Sequence, residues 1–83
     1  VAWTSAVEPA EASTAGCIAF PLSGTIEANG SLQLLAVEAE GFTFSHWERN
    51  GETLTENKLA TVTVNPLAET ETACVYKAVF TAN

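Results

Sequence analysis

Residue types that could carry chemistry are scarce in this chain. It has one histidine, His46, two cysteines, Cys17 and Cys74, and no aspartate, so all ten acidic residues are glutamates. A serine–histidine–carboxylate triad would need glutamate as its acid and a strained turn for the nucleophile, and the sequence shows no such turn. Cys17 and His46 could form a thiolate–imidazole pair, but a structural cysteine and a loop histidine account for the same residues more simply. We therefore expect no catalytic residue and no enzyme.

Two pairs of glutamates have the spacing that places carboxylates on one face of a strand. They are Glu38 with Glu40 and Glu69 with Glu71. A glycosidase needs such a pair inside a deep cleft, and a small sheet of 83 residues offers none. We interpret both pairs as solvated faces.

Ligands for metals and cofactors are equally sparse. Zinc would need more than one histidine and two cysteines. Glu48, Asn50 and Glu52 form only a loose calcium pattern, without the oxygen-rich loop that such a site requires. No glycine-rich loop precedes a helix, so no phosphate cradle is predicted. The sequence predicts neither a metal site nor a cofactor.

Length and charge limit the partners. A chain of 83 residues with 47% hydrophobic content forms one domain with a real core. Only three basic residues oppose the ten glutamates, which leaves a net charge of −7. Binding to nucleic acid or to an anionic membrane needs clustered Lys and Arg, so neither is predicted. The longest uncharged stretch, residues 12–26, is broken by Pro21 and too polar to span a bilayer, so we predict no membrane insertion.

The pattern of the chain changes near Gly16. Residues 1–14 are rich in Ala, Ser, Thr and Glu and lack a clear period, so we interpret them as a linker or N-terminal arm, in which Val1 and Trp3 could form a short strand. Residues 15–83 then form a single β-rich domain. Its predicted strands are 16–20, 32–38, 42–48, 60–64 and 74–82. Residues 65–70 predict one helical turn, with Asn65 as its N-cap.

The segment from Phe42 to Gly51 contains two local signals. Asn50-Gly51 predicts a type I′ hairpin, with Arg49 opposite Glu52 and Trp47 opposite Leu54. Trp47 follows Phe44 by three residues instead of two, which interrupts the alternation of a strand.

Several motifs together resemble one family. They are Gly30-Ser31-Leu32-x-Leu34-x-Ala36, Gly41-Phe42-x-Phe44-x-x-Trp47, Asn50-Gly51 and Ala78-Val79-Phe80. This combination resembles the bacterial surface repeats related to the internalin B-repeat, over about residues 16–80. The resemblance implies a mainly β fold, a small β-grasp-like twisted sheet of about five short strands with at most one short helical turn. It implies a core of Leu32, Leu34, Phe42, Phe44, Trp47 and Phe80, and a bulge at Ser45-His46 that returns Trp47 to the core.

The cysteines are not part of the family pattern. In a β-grasp-like sheet the first and last strands are parallel neighbours, and Cys17 and Cys74 stand at the starts of those strands. The resemblance therefore implies a Cys17–Cys74 disulfide within bonding reach, which would stabilise the fold by roughly 4 kcal/mol and indicate an oxidising compartment. Two buried thiols are the alternative.

A second departure from the family concerns the outer face of the sheet. Leu35 and Val37 stand where the family commonly has Thr, and two exposed apolar side chains need a reason. The N-terminal arm could cover them with Trp3, a neighbouring module could contact them, or a ligand could bind there. Trp3, Leu35 and Val37 are the candidate contact surface.

The resemblance implies a non-catalytic structural or spacer module of an extracellular bacterial surface or secreted protein, with adhesion through tandem copies as a further use. Its partners would be neighbouring domains of the same polypeptide, and a host glycan or protein is a further candidate. We expect the isolated fragment to be monomeric. The alternative is an accessory glycan- or protein-binding module attached to a larger surface or degradative protein. An open, flat face at Leu35 and Val37 favours the binding module, and a covered one favours the spacer.

Overall fold

A computed structural model describes residues 1–64, 66 and 74–83. Over these residues the elements are β1 (Ala2–Glu8), α1 (Ala10–Ala15), β2 (Ile18–Phe20), β3 (Ser23–Thr25), β4 (Gly30–Val37), β5 (Phe42–Arg49), β6 (Glu52–Thr55), β7 (Leu59–Val64) and β8 (Cys74–Ala82). The mainly β class is confirmed: the described strands form a mixed sheet of five strands and a second sheet of three. The helical turn predicted at 65–70 lies outside the described residues, apart from Pro66.

The first sheet has the strand order β3-β1-β8-β5-β6. β1 and β8 are parallel, with partners from Trp3 and Cys74 to Glu8 and Val79. β5 is antiparallel to both β8 and β6, and β3 is antiparallel to β1. The first and last strands are therefore parallel neighbours, but the first strand is β1 and not the segment that contains Cys17.

The N-terminal segment differs from the arm that its composition predicts. β1 lies between β3 and β8, and Trp3 is only 5% exposed, so residues 2–8 are integral to the sheet and the boundary at residue 14 does not divide two units. Trp3, Ser5 and Val7 alternate toward the core, which is the period of a strand. The small side chains around them conceal this period in the sequence. α1 then ends at Gly16, whose φ of 111° suits glycine.

The second sheet has the order β2-β4-β7, and both pairs are antiparallel. Its inward residues are small or aliphatic: Ala19, Leu32, Leu34, Ala36, Ala60 and Val64. The first sheet contributes the large rings to the same core: Trp3, Phe44, Trp47, Tyr76 and Phe80. Five of the six predicted core residues are buried, and Phe42 is half-buried and packs against them.

The bulge predicted in β5 is present. Phe44 pairs with Phe80 and His46 with Val79, so Ser45 is the extra residue, and Trp47 returns to the core with no exposed surface. In the hairpin, Asn50 and Gly51 have the positive φ values of 50° and 91°, and Arg49 faces Glu52 as predicted. Trp47 faces Thr55 and not Leu54, because a second register shift separates Trp47 from Glu48.

Candidate functional site

The outward surface of the second sheet is the candidate site. Strand alternation places nine side chains there: Ile18, Phe20, Ser31, Gln33, Leu35, Val37, Leu59, Thr61 and Thr63. None is ionisable, although the chain carries a net charge of −7. We call this surface the uncharged face.

The apolar members of the uncharged face are adjacent across the strands. The register aligns Phe20, Leu35 and Leu59 in one row and Ile18 with Val37 in the next. Cross-strand partners share one side of a sheet, so these five side chains form a continuous patch. The exposed fraction is 60% for Phe20, 56% for Leu59, 48% for Ile18, 40% for Val37 and 39% for Leu35. The other two rows, Gln33 with Thr61 and Ser31 with Thr63, are polar.

The three residues of the predicted contact surface do not lie together. Leu35 and Val37 lie on the uncharged face, but Trp3 does not cover them, since β1 belongs to the first sheet. The Trp3 ring instead packs beside Gly24 and Tyr76, with the Trp3 and Tyr76 ring centroids 6.4 Å apart. The apolar side chains of the uncharged face are at least 39% exposed.

Three members of the patch were not part of the predicted surface. They are Ile18, Phe20 and Leu59. Ile18 and Phe20 alternate with Cys17 and Ala19, which could have placed them outward. Their position beside Leu35 and Val37 depends on which strand pairs with β4, and no local pattern reveals that pairing.

The outward surface of the first sheet is different. Lys77 pairs with Glu8 at 3.5 Å between Nζ and Oε2, and Glu48 is the cross-strand neighbour of Lys77. His46 Nε2 lies 2.7 Å from Glu48 Oε2. This surface is therefore ionic, while the uncharged face is not. The exteriors of the two sheets thus differ in charge.

An ion pair borders the apolar end of the uncharged face. Glu38 follows β4, Lys58 precedes β7, and their side chains are bonded to each other. The carboxylate of Glu38 also accepts the Phe44 N–H at 2.6 Å. Both the Lys58 ammonium and this N–H hold the pKa of Glu38 below its ordinary value. These two charges are thus paired with each other at the rim.

Cys17 and Cys74 are both free and buried, so the predicted disulfide is not formed. The parallel neighbour of β8 is β1, which places Trp3 opposite Cys74. Cys17 precedes β2, a strand of the other sheet, and its Sγ accepts the Ala39 N–H at 3.3 Å. The Cys74 Sγ lies 3.4 Å from Arg49 Nε. Two buried thiols, the alternative, are what the structure contains.

The structure brings together a hydrogen-bonded series that the sequence did not predict. Ser45 Oγ lies 2.8 Å from His46 Nδ1, and His46 Nε2 lies 2.7 Å from Glu48 Oε2. The bulge places Ser45 beside His46, and alternation adds Glu48. Acyl transfer also needs donors aimed at a developing oxyanion and a pocket for the acyl group. One cleft, of about 510 Å³, lies elsewhere, between β1, α1 and β2. We interpret the series as a polar surface network.

The other candidates remain dispersed. Glu38 is paired with Lys58 and Glu40 is exposed, while Glu69 and Glu71 lie outside the described residues. Among the residues that the structure covers, no three His, Cys, Asp or Glu side chains form a group that could hold a metal. No helix in the same part of the chain is long and apolar enough to cross a membrane.

Comparison with known proteins found no matching family model, no similar curated protein and no similar solved structure.

Proposed function

We propose that the chain is a non-catalytic protein-docking module of a larger bacterial surface or secreted polypeptide, and that the uncharged face is its docking surface. The observation that carries this proposal is the coincidence of exposure and composition. Nine outward positions of one sheet are all uncharged, and five of them are large and apolar. Loss of charge with retention of exposed apolar side chains is the composition of an interface centre.

A protein partner fits this surface better than a glycan. Glycans stack on exposed aromatic rings, and Phe20 is the one described aromatic residue that is largely exposed. Trp3, Trp47 and Tyr76 are all in the core. A flat aliphatic patch with a polar margin buries well against another protein surface. The extracellular bacterial setting of the proposal rests on the resemblance to the B-repeat family.

Site-specific photo-cross-linking tests the proposal. A benzophenone amino acid would replace Gln33, at the centre of the uncharged face, in the polypeptide that carries this chain. The matched control replaces Thr53, an exposed residue of β6 in the other sheet. We expect position 33 to link to a defined protein segment, identified by mass spectrometry, and position 53 to remain unlinked. Equal labelling at both positions, or none at position 33, would refute the proposal.

A further inference from the structure

We infer that the partner of the uncharged face is a second copy of this chain, which docks face to face about a two-fold axis. This inference rests on the proposed docking function and goes beyond it by naming the partner. It also departs from the monomer that we expect from the sequence alone.

The size of the face is the first argument. Nine exposed side chains on three strands present on the order of 700 Å², close to the roughly 800 Å² that each partner contributes to a standard interface. Two copies would together bury more than the ~1,000 Å² that a specific interface requires. The face is therefore large enough for a self-association without any further contact.

The arrangement of the rows is the second argument. Leu35 lies between Phe20 and Leu59, so its row crosses all three strands. A two-fold axis near Leu35 brings the apolar row of one copy against that of the other. Because a two-fold interface uses the same patch twice, the patch must be complementary to itself. A row of aliphatic and aromatic side chains bordered by Gln33 and Thr61 meets this condition.

Charge is the third argument. Two copies carry −7 each and repel one another at long range. No charged side chain of the face would be placed opposite its own copy, whereas the first sheet would bring Glu8 and Glu48 toward theirs. Of the two sheet exteriors, the uncharged face is thus the one at which two acidic copies meet with less repulsion. Added salt should strengthen the dimer, because it screens the overall repulsion and leaves apolar contacts intact.

Sedimentation equilibrium of the purified chain, from 10 µM to 1 mM in 20 mM and 300 mM NaCl, tests the inference. We expect a monomer–dimer equilibrium that tightens at the higher salt concentration. Leu35→Glu should raise the dissociation constant at least tenfold, because it buries a charge opposite its own copy. The matched control is Leu54→Glu on β6, where the side chain is 42% exposed, as against 39% for Leu35. This control should change the dissociation constant less than twofold.

Three outcomes would overturn the inference: a monomer at 1 mM in 300 mM NaCl, equal effects of the two variants, or assembly that continues beyond the dimer. Circular dichroism shows whether Leu35→Glu folds, and Leu59→Glu, at the end of the same row, gives a second measurement if it does not. A monomer whose position 33 still cross-links to another protein refutes the second copy and retains the docking function. A monomer with no cross-link at position 33 refutes both.

Discussion

Trp3 and Phe20 provide the sharpest test of which aromatic residues stabilise the fold. The structure separates them, since Trp3 is 5% exposed and Phe20 is 60% exposed. The Trp3 ring lies edge-on to Tyr76, with an angle of 72° between the ring planes. It also occupies the space above Gly24, where an added Cβ would come within 2.9 Å of Trp3 Cζ2. Truncation of Trp3 thus opens a cavity in the core, beside Gly24 of β3 and Tyr76 of β8.

The expected magnitudes follow from these positions. Trp3→Ala should lower the free energy of unfolding by about 3–5 kcal/mol, the usual cost of removing a buried large aromatic. A domain of this length has a total stability of roughly 4–12 kcal/mol, so the loss is a large fraction of the whole. It corresponds to a decrease in Tm of about 12–40 °C. Phe20→Ala removes a mostly solvated ring and should change the free energy of unfolding by less than about 0.5 kcal/mol.

Urea unfolding followed by far-ultraviolet circular dichroism measures both variants at the same protein concentration. That concentration should be 10 µM or lower, where the proposed dimer contributes least. The reasoning is refuted if Trp3→Ala costs less than about 1 kcal/mol, since β1 would then be a dispensable arm. It is equally refuted if Phe20→Ala costs as much as Trp3→Ala, because the uncharged face would then serve the fold itself.

Three further predictions concern buried or paired groups. Cys17 and Cys74 should resist Ellman's reagent in the folded chain and give two thiols in non-reducing denaturant, because both are buried; an intact mass two hydrogens lower, from a disulfide, would contradict this. Burial, and to a smaller extent the interaction with Cys74, raises the pKa of Tyr76 to about 12. Tyr76 is the chain's only tyrosine, so phenolate absorbance at 295 nm should appear well above pH 10. Since the folded-state pKa is the higher one, this contribution to stability is complete below pH 10 and declines toward pH 12, and Tyr76→Phe should flatten the decline. The lowered pKa of Glu38 has the opposite effect: its contribution to stability is present above the ordinary value of 4.5 and is lost as the pH falls below that value. Carboxyl-carbon NMR titration of the chain and of the Lys58→Ala variant checks this, and the pKa of Glu38 should be higher in the variant.

Local patterns predicted the elements that depend on neighbouring residues. Alternation in 32–38 identified the inward side of β4, where Leu32, Leu34 and Ala36 are buried. The resemblance implied the bulge, and the irregular step from Phe44 to Trp47 agrees with it, because an extra residue returns Trp47 to the same side. Positive φ at Asn50 and Gly51 follows from the residue types alone.

Pairing between distant strands was beyond the same reasoning. The choice between β1 and β2 as the parallel neighbour of β8 is made by packing of the whole core, and the disulfide prediction failed on that choice. β1 was also concealed by its composition, since Ala, Ser and Thr carry little hydrophobic signal even when they alternate with Trp3. The candidate site shares this limit: Leu35 and Val37 were evident from one strand, whereas Phe20 and Leu59 joined them through the register of three.

The contrast between the two exteriors gives the docking proposal its physical basis. An exposed apolar row contributes little to the stability of an isolated domain and increases the tendency to aggregate, so solubility alone would favour charge on both sheets. The first sheet has that charge, in Glu8, Glu48 and Lys77. The second sheet lacks it at every outward position while the chain as a whole remains strongly acidic. Overall acidity keeps the chain soluble before docking, and the uncharged face supplies the apolar contact once a partner arrives. A surface built in this way gains stability only when it is covered, and that is the physical reason to look for its function at Leu35 and not in the hydrogen-bonded series at His46.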